Sequence, residues 1–109
     1  MATVRVSTGN PVIFLSGEID IATVDGMVSA FEPCVRAGGP VILDMSAVTF
    51  MDSSGLHALI HASRALGERG CIIVHGAHGA VLHLLQLTLL REAIENMHFI
   101  ECTVLVQAA

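Results

Sequence analysis

A chain of 109 residues can bury a core of its own without disulfide staples, and a composition of 53% hydrophobic and 14% charged residues excludes disorder. The net charge of −5, with five scattered basic residues, lacks the cationic cluster that phosphate backbones require, so a direct nucleic-acid partner is excluded. No apolar run approaches the ~18–20 residues that span a bilayer, and the longest, Ala80 to Leu90, is broken by His83, Gln86 and Thr88.

In chain order, Thr3 to Ser7 alternates and Val12-Ile13-Phe14-Leu15 is a short apolar run stopped by Ser16-Gly17. Two strands joined by a turn at Gly9-Asn10-Pro11 follow from that pattern. Val24, Met27, Val28, Phe31 and Val35 recur at helical spacing, predicting a helix near Thr23–Val35 that ends near Pro33 and Gly38-Gly39, with Pro33 ending or kinking the last turn. Val41-Ile42-Leu43 reads as a buried strand. A second helix near Ser54–Gly67 is marked by Leu56, Leu59, Ile60, Ser63 and Leu66 on one face. Gly70 breaks it, Cys71 to Val74 forms another strand, and Gly76 to Gly79 turns into a leucine-rich helix near Ala80–Leu90. Phe99-Ile100 closes the sheet. The expected fold is a single α/β domain, a small mixed sheet of four or five strands packed with helices.

The N-terminus MATVRVSTGN has no basic segment leading into an apolar one, so no secretory signal is visible and a cytoplasmic protein is expected. Cys34, Cys71 and Cys102 are odd in number, widely spaced and never paired as CxxC, and are read as structural thiols. A mean hydropathy of +0.72 predicts an exposed apolar surface. In the third helix, Leu82, Leu85 and Leu89 are assigned to the core, and the surplus Leu84, Leu87 and Leu90 to a patch that a partner covers.

The chemistry concentrates in Asp52-Ser53-Ser54-Gly55. Asp52 or Ser53 can cap the second helix, accepting a hydrogen bond from an otherwise unpaired backbone N–H. Ser54 is then a spare hydroxyl, and Gly55 in the first turn costs about 0.5–1 kcal/mol against Ala, which makes sense if another backbone must approach closely. Asp20 and Thr23 stand where they can cap the first helix. His57 and His61 have i, i+4 spacing, but no carboxylate or Cys sits at partner spacing for a metal. They read, with Arg64, as a solvated stripe, and no metal or cofactor is expected. MDSSGL does not match the strained G-x-S-x-G turn of a serine hydrolase.

Two segments together resemble the STAS domains. LSGEID, Leu15 to Asp20, is similar to the Gly-Glu-aliphatic-Asp signature that opens their first helix. VILDMSAVTFMDSSGL, Val41 to Leu56, is similar to the hallmark of the bacterial anti-sigma factor antagonists in that family. The resemblance spans roughly Val4 to Ile100. It departs at LQLTLL, where a small residue is common, and after Cys102, where TVLVQAA is shorter than the usual closing helix.

The resemblance implies a protein without catalysis of its own, which binds a cytoplasmic anti-sigma factor and so frees a sigma factor. That anti-sigma factor is often a serine kinase that phosphorylates the antagonist, and a phosphatase reverses the reaction. The target serine maps onto Ser54, and Asp20, Thr23, Asp52, Ser53 and Gly55 become the partner-binding residues. The alternative within the family is an accessory subunit of a membrane lipid-transport ATPase complex. The intact Ser53-Ser54 pair argues against it, because in those relatives the serine is often replaced.

Overall fold

The computed structural model describes residues 2–6 and 12–100. Its elements run β1 (Ala2–Val6), β2 (Val12–Ile19), α1 (Val24–Ala37), β3 (Gly39–Met51), α2 (Ser53–Leu66), a 3-10 turn (Gly67–Arg69), β4 (Gly70–His75), α3 (Gly79–Arg91) and β5 (Met97–Ile100). The five strands lie in the order β1-β2-β3-β4-β5, with β1 antiparallel to β2 and every other neighbour parallel. Parallel neighbours need crossover connections, and each helix supplies one. The expected mixed sheet therefore has five strands. The Gly9-Asn10-Pro11 turn and the chain from Glu101 onward, including Cys102, lie outside the described residues.

Ile13, Leu15, Val41, Leu43, Ile72 and Val74 are almost fully buried, while the alternate residues Val12, Phe14, Ile42 and Ile73 are only partly so. Alternation puts the first set on one face of the sheet. Met27 and Phe31 of α1, Leu59 and Leu66 of α2, and Val81 and Leu85 of α3 join that set in one core. The other face carries polar pairs. The Arg5 guanidinium lies 4.9 Å from the centre of the Phe14 ring, and Asp44 meets His75 at 3.2 Å.

Four expectations need correction. Ser16-Gly17 does not stop β2, which continues to Ile19. The Gly17-Glu18-Ile19 part of the signature therefore ends a strand, and α1 opens only at Val24. Pro33 does not end α1, which runs on to Ala37. Pro33 withholds the N–H that would bond the Ser29 carbonyl, but Ser29 is exposed and water can take that place. In α3, Leu85 and Val81 are the buried residues, whereas Leu82 and Leu89 are half-buried.

β3 is the longest strand because it outruns β4. Its pairing with β4 ends at Asp44 opposite His75, and residues 45–51 continue against β2 alone. Two extra residues interrupt that stretch. Phe14 to Ser16 of β2 spans Asp44 to Ala47, and Gly17-Glu18 spans Val48 to Phe50. A bulge shifts which side chains face inward. Here Met45, Val48 and Met51 are buried, and Ser46, Ala47, Thr49 and Phe50 are exposed.

Candidate functional site

The site stands at the carboxyl ends of the parallel strands, where α/β sheets generally place their ligands. β2 ends at Ile19 and β3 at Met51, directly opposite one another. The Asp52 N–H donates to the Ile19 carbonyl at 3.1 Å, tying the mouth of α2 to the loop that begins with Asp20. Residues more than thirty positions apart in sequence thus share one corner.

Within the first loop, Thr23 is the knot. Its hydroxyl donates to the Glu18 carbonyl at 2.9 Å and accepts from the Asp20 N–H at 3.0 Å. The Asp20 carboxylate accepts from the Ala22 N–H at 3.0 Å, and its carbonyl takes the N–H of Val24 at 2.8 Å. These bonds make Asp20 and Thr23 a closed turn ahead of α1. Ile21, at the turn's tip, is 80% exposed.

At the second loop, Asp52 is the cap. It has extended backbone geometry, and its Oδ1 accepts from the Ser54 N–H at 2.8 Å. The Asp52 carbonyl receives the first intrahelical bond, from Leu56. Ser53 plays no capping part and is exposed. Ser54 is half-buried, and among the described residues its hydroxyl has no hydrogen-bond partner. The helix uses the Ser54 backbone and leaves the Ser54 side chain over.

Gly55 is buried, and its close neighbours are not the expected backbone but two side chains of the chain itself. A Cβ there would stand 2.7 Å from Met51 Cγ and 3.0 Å from Ile19 Cγ2. Ile19 and Met51, the last residues of β2 and β3, fill the space a side chain would need. Gly55 lets α2 start directly above the strand ends.

A second polar group lies where β3 leaves β4. Asp44 Oδ1 accepts from the Ser46 hydroxyl at 2.6 Å and the Ser46 N–H at 3.0 Å, and Oδ2 meets His75 Nδ1 at 3.2 Å. Partial burial pushes the Asp44 carboxyl up, but the Ser46 hydroxyl, the Ser46 N–H and His75 together outweigh it and hold the pKa below the ordinary carboxylate value. His78 Nε2 lies 3.2 Å from the Ser46 carbonyl. Gly76 (φ 78°) crosses so close to Ser46 that a Cβ would meet its Cβ at 2.7 Å. Burial pushes the Cys34 thiol up, as suits a packing residue.

The polar residues singled out in the sequence, Asp20, Thr23, Asp52, Ser53 and Ser54, therefore stand together at one corner. Of the apolar residues beside them, Leu84 and Leu87 are already assigned to an exposed patch by the sequence, whereas Phe50 is missed. Phe50 is 49% exposed and Leu87 53% exposed, and with Thr49, Met51, Val81 and Leu84 they line a cleft of about 360 Å³ between the end of β3 and α3. Nothing in VTFM marks Phe50 as outward, because the bulges that turn it out belong to the pairing of β3 with β2. His57 and His61 are both exposed on α2, and no group of three or more His, Cys, Asp or Glu suited to a metal occurs among the described residues. No helix among them is long and apolar enough to cross a membrane.

The STAS domain family model matches residues 1–103. The anti-sigma-B factor antagonist of Listeria monocytogenes is 32% identical over 85 residues, which cover 76% of this chain and 75% of that protein, and the one from Listeria innocua matches equally. Among solved structures, an anti-sigma factor antagonist from Mycobacterium paratuberculosis is 28% identical with a TM-score of 0.75, over 90% of this chain and 86% of that one. Unphosphorylated SpoIIAA, an anti-sigma factor antagonist, shares the fold at 20% identity with a TM-score of 0.70, over 99% of this chain and 94% of that one. The five-stranded mixed sheet, the three crossover helices and these likenesses agree: the chain belongs to the STAS domain family, among its anti-sigma factor antagonists.

Proposed function

We propose that this chain acts by binding rather than catalysis, as an antagonist that holds a cytoplasmic anti-sigma factor and so releases a sigma factor for transcription. The anti-sigma factor is also the serine kinase that modifies it. Ser54 is the acceptor, Asp20, Thr23, Asp52, Ser53 and Gly55 shape the contact around it, and a phosphatase restores the binding form.

One observation carries the assignment to Ser54. With Asp52 as cap, the Ser54 hydroxyl has no partner among the described residues and stands at the helix mouth. A phosphoserine carries about −1.5 to −2 charges at neutral pH. A docked partner would have to strip water from that dianion, at several kcal/mol if it stays unpaired, and each ~1.4 kcal/mol is tenfold in affinity. Modification thereby ends binding.

The test is to incubate the chain with ATP and each purified candidate anti-sigma factor of its host, then measure intact mass and map the modified residue. One added phosphoryl group on Ser54 is the expected result. Label on Ser53, or a chain that binds none of the factors, overturns the assignment.

A further inference from the structure

The corner around Ser54 differs from the rest of the surface in charge. Glu18, Asp20, Asp25 and Asp52 all stand at the carboxyl ends of β2 and β3 or in the first turn of α1, and no Lys or Arg stands among them. The opposite end balances. Arg36, Arg64 and Arg91 lie in the last turns of α1, α2 and α3, and Arg69 lies just before β4. Glu32, Glu68, Glu92 and Glu95 accompany them, with Arg64 and Glu92 3.8 Å apart. Acidic helix starts and basic helix ends complement the helix dipoles, which accounts for Asp25, Asp52 and three of the arginines. The outward field at the corner is negative all the same.

The corner is also apolar on one flank. Beyond Asp44, β3 has no strand on its β4 side, and α3 stands off from it across the Phe50–Leu87 cleft. Met51 joins this cleft to the serine turn, since the same side chain lines the cleft and packs under Gly55. A mostly apolar recess with half-exposed Phe and Leu walls, with His83 also in its lining and Glu18, Asp20 and Asp52 beside it, fits one kind of occupant.

Resting on the function proposed above, we propose that the anti-sigma factor seats a large apolar side chain in the cleft between Phe50, Leu84 and Leu87. That side chain is flanked in the partner by arginine or lysine, which faces Glu18, Asp20 and Asp52. The cleft supplies affinity by burying apolar area at the centre of the contact, and the acidic rim selects the partner by charge. Ser54, beside the cleft, is covered when the partner is seated.

The experiment measures affinity for each purified candidate anti-sigma factor by calorimetry, using wild type, Phe50→Glu, Leu87→Glu, Leu87→Gln and Gln86→Glu. Gln86 is exposed on α3 and lies outside the cleft, so Gln86→Glu controls for added charge. Melting curves confirm that each variant folds. The three cleft variants are expected to bind about tenfold or more weakly, and Gln86→Glu as wild type does. A photoreactive benzophenone amino acid at position 87 should cross-link to an apolar residue of the purified factor adjacent to Arg or Lys. If wild type binds and the cleft variants bind equally well, or if the cross-linked segment is acidic, the cleft assignment is wrong while the Ser54 reading stands. If wild type binds no factor, both fall.

Discussion

Replacing Gly55 by alanine sets two opposed effects against each other. Alanine in a helix interior is favoured over glycine by about 0.5–1 kcal/mol. Against that, the new Cβ would stand 2.7 Å from Met51 Cγ, 3.0 Å from Ile19 Cγ2 and 3.1 Å from Met51 Cε. Ile19 is 0% exposed and β-branched, and Met51 is 4% exposed, so neither has free space to move into. Overpacking of this kind costs about 1–3 kcal/mol. The clash should win by about 1 kcal/mol, which for a domain of this size lowers Tm by about 4–8 °C. Thermal melting by circular dichroism reads the effect directly. Met51→Ala removes most of the obstruction, so Gly55→Ala in that background should be neutral or stabilising, and a double-mutant cycle isolates the coupling. If Gly55→Ala raises Tm in the wild-type background, helix propensity dominates and the packing explanation for Gly55 is refuted.

Ser54→Ala should bind the anti-sigma factor constitutively and accept no phosphate. Ser54→Asp should melt near wild type, because Asp52 already supplies a charge at the helix start, yet bind weakly; titration against the factor decides, and wild-type affinity would remove the switch. Asp52→Ala should lose about 0.5–2 kcal/mol of stability with the cap, whereas Ser53→Ala should leave Tm unchanged and the chain still phosphorylatable. The Asp44 carboxyl has a pKa lowered by folding, so its contribution is present above the unfolded value near ~4 and is lost as pH falls through the lower folded value. Asp44→Asn should therefore flatten the acid limb of the stability–pH curve below about pH 4, and an unchanged limb would contradict the Ser46–His75 account.

Much of this was legible in the chain because local patterns and tertiary structure agree. The three helices begin and end within two residues of where periodicity and glycines place them, and Asp52-Ser53-Ser54-Gly55 announces both a helix start and a hydroxyl too many. What escaped depends on pairing between strands. Ser16-Gly17 is turn-like in isolation, but with β3 alongside it becomes a strand with an irregular register. Thr49 and Phe50 both face out because an extra residue enters β3 there. No one-strand pattern encodes that. In α3 the core assignment holds for Leu85 and in part for Leu89, which packs against the core, and fails for Leu82. Helical spacing says which residues share a face, but which face turns to the core is set by the rest of the fold, and Val81 and Leu85 are the residues buried.

The charge asymmetry has a kinetic side. With Glu18, Asp20, Asp25 and Asp52 at one pole and paired signs at the other, the molecule carries a permanent dipole along the strand direction. If the partner is cationic, as proposed above, its field should turn the molecule before contact, so that encounters arrive with Ser54 leading rather than at random. Such steering speeds association and weakens as salt shortens the ~10 Å reach of the field at 0.1 M. For the proposed binding role, association should then be fast as well as selective, and its speed should depend on the ionic strength of the surroundings.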